Sequence, residues 1–155
     1  LLSSVPNGAE IRFNLASAYE RLGEYEKAED GFKWILENYP DNALALNYLG
    51  YMYADKGIKL DTALVMIEKA LKVDPKNGAY LDSYAWVFYK LGRYEEALTQ
   101  MKKAMASNPQ DAIIFEHEGD IYSALNSGDK ARESWEKALQ LDPENDALKS
   151  KLNKK

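Results

Sequence analysis

The sequence predicts an all-α fold of stacked helical hairpins, and three regularities carry that prediction. Proline recurs at Pro6, Pro40, Pro75, Pro109 and Pro143, so the spacings are 34, 35, 34 and 34 residues. Ala28, Ala63, Ala97 and Ala131 keep the same beat, as do Ile35, Ala70, Ala104 and Ala138. Large apolar or ring-bearing residues keep it too, at Tyr19, Tyr53, Phe88 and Tyr122 and at Phe32, Ile67, Met101 and Trp135. A fixed period of roughly 34 marks a stacked-repeat protein. A single helical hairpin cannot bury its apolar face alone, so neighbours must stack to do so.

The elements follow from that period. Residues 1–8, "LLSSVPNG", put Pro6 one period before Pro40 and read as the last turn of a preceding second helix, the remnant of a longer array. Residues 9–42 form the first repeat, and 43–77 form a second that is one residue longer. In the third, 78–111, "GAYLDSYAWVFYKL" has apolar residues at helical spacing, "GR" breaks it, and "YEEALTQMKKAMAS" resumes it. Residues 112–145 form the fourth. The tail 146–155, "DALKSKLNKK", places Leu148 and Leu152 four apart, as in a short capping helix that covers the last repeat's apolar face. Asn42, Asn77, Asp111 or Asn145 stands before each later first helix, with the side-chain types that cap free N–H groups. Proline then disfavours helix in the residue before it.

The four segments "LASAYERLGEYEKAEDGFKWILENYP", "LGYMYADKGIKLDTALVMIEKALKVDP", "YAWVFYKLGRYEEALTQMKKAMASNP" and "EGDIYSALNSGDKARESWEKALQLDP" resemble tetratricopeptide repeats of bacterial style. That family's pattern is L-G-x2-Y, then G-x-Y-x2-A, then A-x3-F-x2-A-x4-P. The resemblance covers residues 9–145 and implies an α-solenoid coiled into a right-handed superhelix. Departures are Ala16 and Ala85 in place of Gly, Tyr84 and Glu118 in place of Leu, and Ile35 in place of Ala. One residue is inserted between Gly57 and Ala63. In the fourth turn Asn126 takes the Gly position and Gly128 the Tyr position.

Composition excludes several function classes. At 46% hydrophobic the chain is too apolar for disorder, and no run reaches the roughly 18 apolar residues of a membrane span. Direct membrane insertion is therefore not expected. Without cysteine there is neither a disulfide framework nor thiolate chemistry. The opening residues lack the features of a signal peptide. The expected compartment is the cytoplasm or, behind an upstream signal peptide, the periplasm. A net charge of −5 argues against a nucleic-acid partner. The charge is uneven: −5 over 112–145 against +3 over 146–155. His117 is the single histidine, close in sequence to Glu116, Glu118 and Asp120. A lone His among carboxylates on one turn reads as a solvated face rather than a metal site. Phosphate loops, nucleophile elbows and Cys/His pairs are absent from the sequence, so no enzyme activity, metal or cofactor is expected.

Four rings fall within six positions at Tyr84, Trp86, Phe88 and Tyr89. At about 100° per residue, Tyr84, Phe88, Leu81 and Leu91 share one apolar stripe, whereas Trp86, Tyr89 and Asp82 lie on the opposite side. Tyr84 and Phe88 therefore read as core, and Trp86 and Tyr89 as partly accessible. The family resemblance implies that first helices line a concave groove, here through Phe13, Ser17, Leu44, Asn47, Tyr51, Asp82, Trp86, Tyr89, Ile113, Glu116 and Asp120. Rings there would anchor a segment of another protein, and carboxylates would select basic residues. The family's carboxylate-gripping clamp would fall at Phe13, Ser17, Tyr48, Ala79 and Ser83, or at Asn47, Tyr51, Ser83, Ile113 and His117. Neither register supplies the cations.

The expectation is thus a non-catalytic protein–protein interaction module, a scaffold or adaptor, whose partner is a protein or peptide with apolar and basic residues. Two alternatives are a docking or regulatory appendage of an enzyme lying outside this stretch, and self-association through open repeat ends. RNA binding by the similar pentatricopeptide hairpin is disfavoured by the acidic groove.

Overall fold

The computed structural model describes residues 8–153. Of the expected remnant at 1–8, Gly8 instead opens the first helix, and residues 1–7 lie outside the described residues. Among these, nine helices follow one another without a strand: α1 (Gly8–Arg21), α2 (Tyr25–Asn38), α3 (Ala43–Asp55), α4 (Leu60–Val73), α5 (Gly78–Lys90), α6 (Tyr94–Ser107), α7 (Ala112–Ala124), α8 (Gly128–Leu141) and α9 (Asp146–Asn153). The fold is an all-α helical-repeat solenoid. Each odd-numbered helix from α1 to α7 packs on the helix after it, and each outer helix packs on the next hairpin.

The turns inside the hairpins share one closure. Gly23, Gly57, Gly92 and Asn126 take left-handed φ values of 76°, 67°, 74° and 56°. The following N–H then reaches back five residues, from Glu24 to Tyr19, Ile58 to Tyr53, Arg93 to Phe88 and Ser127 to Tyr122, each at 2.9 Å. This is the Schellman closure of a helix C-terminus. Asparagine tolerates the left-handed conformation, so the fourth turn closes like the others. The inserted residue is absorbed locally. Lys59 itself takes a left-handed φ of 48° just before α4. Its Nζ donates to Glu29 Oε1 on α2 at 2.7 Å and to the Tyr53 hydroxyl at 3.3 Å. Hydrogen bonds from Lys33 and then Lys59 hold the Glu29 carboxyl down to about 2. The junctions between hairpins are closed by caps. Asn42 accepts from the Ala45 N–H, Asn77 from Ala79 and Tyr80, Asp111 from Ile113, and Asn145 from Leu148.

The periodic small residues mark close helix approaches. Ala28, Ala63, Ala97, Ala70, Ala104 and Ala138 are sealed completely. Ala16, which stands where the repeat pattern has glycine, is matched across the interface by Gly31. A Cβ on Gly31 would lie 2.8 Å from that of Ala16. Glu118, standing where the pattern has leucine, is buried and accepts a 2.8 Å bond from Ser134 Oγ. Phe32, Ile67 and Met101 are fully buried, but Trp135 at the matching place is only half-buried. Its ring lies over Gly119, and its N–H donates to Asp120 at 3.0 Å.

The two rings assigned to the core of α5 separate. Phe88 is buried against α6, whereas Tyr84 is half-buried and donates to Glu68 Oε1 at 2.8 Å. A tyrosine hydroxyl needs a polar partner, and the surface supplies one. Burial, then that bond, pushes the Tyr84 phenol up to about 12.

Candidate partner-binding groove

The helices α1, α3, α5 and α7 carry every residue expected to line the groove, but the structure sorts those residues into three groups. Leu44 and Ile113 are open to solvent, 51% and 56% exposed. Phe13, Tyr51, Tyr89, Glu116 and Asp120 are half-buried. Ser17, Asn47, Asp82 and Trp86 are buried.

Trp86 departs most from expectation. It lies opposite Phe88 on α5, yet it is only 7% exposed. Its indole stacks on the His117 ring of α7 at 4.1 Å and 17°, and on Tyr89 of its own helix at 4.6 Å and 12°. Lys90 Nζ sits 5.0 Å from the same ring. The reason is that α5 has inner neighbours on both sides, α3 and α7, which cover its second face as α4 and α6 cover the first. His117 is fixed at the back of this stack. Its Nδ1 pairs with Asp82 Oδ1 at 2.8 Å, both groups being buried. Burial lowers the His117 pKa, but the charge and hydrogen bond of Asp82, with Asp120 and Glu116 beyond, outweigh it and leave the pKa raised. His117 thus turns to Asp82, and among the described residues no group of three or more His, Cys, Asp or Glu converges as metal ligands would.

At the C-terminal end the carboxylates already have a cation. Lys151 of α9 reaches Glu116 Oε1 at 2.8 Å and both oxygens of Asp120 at 2.8 and 2.9 Å. Asn145 donates to the other Glu116 oxygen at 3.2 Å, and Leu148 is fully buried beneath α9. Two of the carboxylates expected to select a partner's basic residues are therefore neutralised by the chain itself. The sequence signal for this contact is the change from −5 over 112–145 to +3 over the tail.

Between α3, α5 and α7 a concave pocket of about 230 Å³ stays open. Asn47, Tyr51, Asp82 and Ile113 line it as expected, while Phe13, Ser17, Leu44, Trp86, Tyr89, Glu116 and Asp120 do not. Tyr48, Ala79 and Ser83, which the family's clamp register marks, line it too, and Asp111 and Ile114 join them without having been expected there. Tyr48 was legible in another way, as the i+4 neighbour of Leu44 on one face of α3. It is 41% exposed and meets Phe13 edge-on at 4.9 Å. Around Tyr51 the field is negative. Burial raises its phenol pKa most, and Asp55, Asp82, Glu20 and Glu116 raise it further.

Known proteins are similar to this chain in the same terms. Residues 83–154 match the tetratricopeptide repeat-like domain, and residues 9–52 match the tetratricopeptide repeat. A TPR repeat-containing protein of Pseudomonas aeruginosa is 31% identical over 96 residues, which is 62% of this chain and 16% of that protein. The chain thus spans about a sixth of that relative's length. A thermophilic TPR protein of Thermus thermophilus has the same fold with a TM-score of 0.82 at 21% identity, covering 97% of this chain and 82% of that one. The Pseudomonas aeruginosa protein pilF follows with 0.78 at 25% identity, covering 93% and 65%. No helix of the described residues is long and apolar enough to cross a membrane. The chain belongs to the tetratricopeptide-repeat family, whose members are in general non-catalytic scaffolds for protein–protein interaction.

Proposed function

We propose that the groove between α3, α5 and α7 binds a segment of a partner protein, apolar with basic residues, and that the chain acts as an adaptor without chemistry of its own. The observation behind this reading is the open pocket beside three exposed apolar side chains, Leu44, Tyr48 and Ile113. A contiguous exposed apolar patch marks an interaction site more often than chance. Large side chains entering such a pocket act as anchors, and the surrounding contacts exclude water. Peptides selected from a displayed library against the folded protein test the reading. Ile113→Asp and Leu44→Asp should abolish retention, while Val65→Asp, exposed on the outer helix α4, should not. Retention lost only with Val65→Asp would place the site on the convex side.

A second reading, self-association, is favoured by a separate feature. Ile11 and Leu15 of α1 and Leu22 just after it are 55%, 50% and 75% exposed. Sedimentation over a wide concentration range tests it. A single species at all concentrations would remove this reading.

A further inference from the structure

The pocket has a one-sided chemistry. Its polar lining consists of Asn47, Tyr48, Tyr51, Asp82, Ser83 and Asp111, and no lysine or arginine lines it. Several of its acceptors have spare capacity. Asp82 uses Oδ1 for His117, and Asp111 uses Oδ1 to cap α7 through the Ile113 N–H at 2.9 Å, which leaves each a second oxygen. Asn47 is 6% exposed, and its Oδ1 is sealed from solvent without a hydrogen-bond partner. A buried acceptor without a partner is costly, so a donor that reaches it relieves a standing penalty. The Asn47 side chain itself forms part of the pocket wall. Lys151 is committed to Glu116 and Asp120 and does not line the pocket. The remaining walls are apolar, from Ala79, Ile113 and Ile114.

We infer that this pocket receives the side chain of an arginine from the partner segment. The inference rests on the groove reading above and specifies its ligand. About 230 Å³ is less than the roughly 300–1,000 Å³ of a small-molecule site and suits one large side chain. The acceptors come from α3, α5 and the N-cap of α7, so a planar fork with five donors satisfies several at once, whereas an ammonium is a single point. Guanidinium also stacks on tyrosine rings, and Tyr48 and Tyr51 provide them. Its methylene stem lies against apolar walls while its head meets the carboxylates. The negative field around Tyr51 favours a cation over a neutral group of the same shape.

The test uses four acetylated, amidated peptides identical except for a central arginine, lysine, citrulline or norleucine between leucines. Each is titrated into the isotope-labelled protein and followed by amide chemical shifts. The arginine peptide should bind at least about tenfold more tightly than citrulline, its neutral near-isostere, with the largest shifts at Asn47, Ser83 and Ile113. Asp111→Asn keeps a capping side chain and removes one charge, so it should erase much of the preference for arginine over citrulline. Equal binding of all four at the same residues would overturn the arginine assignment and leave the groove reading intact. Lysine binding as tightly as arginine would overturn the fork argument in particular. Shifts confined to residues outside α3, α5 and α7 would overturn both.

Discussion

The Asp82–His117 pair makes this protein's stability depend on pH near neutrality. The chain has one histidine and no cysteine, and histidine is the side chain whose unperturbed pKa lies in that range. Its folded pKa is raised above the ordinary 6.5 by Asp82, Asp120 and Glu116 against the opposing effect of burial. The sign follows. A group with a raised folded pKa contributes stability that is fully present below the unfolded pKa. That contribution is lost as pH rises through the folded value. Unfolding free energy should therefore fall as pH climbs from about 6 through the folded pKa, then level off.

The size of that effect comes from the geometry. The contact is a 2.8 Å charge-assisted bond between two side chains that are 8% and 10% exposed. Such bonds contribute roughly 1.5–3 kcal/mol. Breaking a buried ion pair outright costs roughly 3–5 kcal/mol, but His117 can discharge by losing its proton, so the lower range applies. Asp82→Asn keeps the shape and removes the charge. It should cost about 1.5–3 kcal/mol at pH 6, lowering the melting temperature by roughly 4–10 °C in a chain of this size, and it should flatten the pH profile. Urea unfolding of both proteins at several pH values measures both effects. A wild-type profile that is flat or rising across this window would refute the charged pair.

Other substitutions test the rest of the arrangement. Trp86→Ala should cost roughly 3–5 kcal/mol, comparable to Phe88→Ala, because both rings are buried; a melting temperature unchanged by Trp86→Ala would mean the indole is free after all. Lys151→Met removes the cation shared by Glu116 and Asp120. Solvent screening of this part-exposed contact limits the loss to about 1 kcal/mol, read most directly as faster hydrogen exchange in α9, and unchanged exchange there would dismiss Lys151 as its anchor. Gly119→Ala would set a Cβ 2.3 Å from Trp135 Cδ1, and overpacking of that kind costs roughly 1–3 kcal/mol. A neutral Gly119→Ala would show that the Trp135 ring moves aside without loss.

The fold was legible because its determinants are local and periodic. Four left-handed turn residues, four caps before inner helices and a ladder of buried alanines each announce themselves within a few positions of sequence. Asn126 shows the strength of that logic, since it closes its turn as the glycines do. The groove was legible only in part, for a geometrical reason. A helical wheel separates Phe88 from Trp86 correctly, but it treats the side away from the outer helices as solvent. Whether that side meets water depends on how closely successive inner helices approach, which no single helix encodes. Trp86 is covered by His117, 31 positions along the chain, and Asp120 by Lys151, another 31. These contacts close the groove from α5 toward α9. They also give Asp82 one fixed partner at the back, while the residue lines the open pocket together with Asn47 and Asp111. The buried stack is thus the wall against which the pocket is formed, and a substitution that loosens the stack should alter the pocket as well. Trp86→Phe, which keeps a ring and shrinks it, should weaken arginine-peptide binding by loosening the His117–Asp82 contact behind the pocket. Full binding by a folded Trp86→Phe protein would show that the pocket stands independently of the stack.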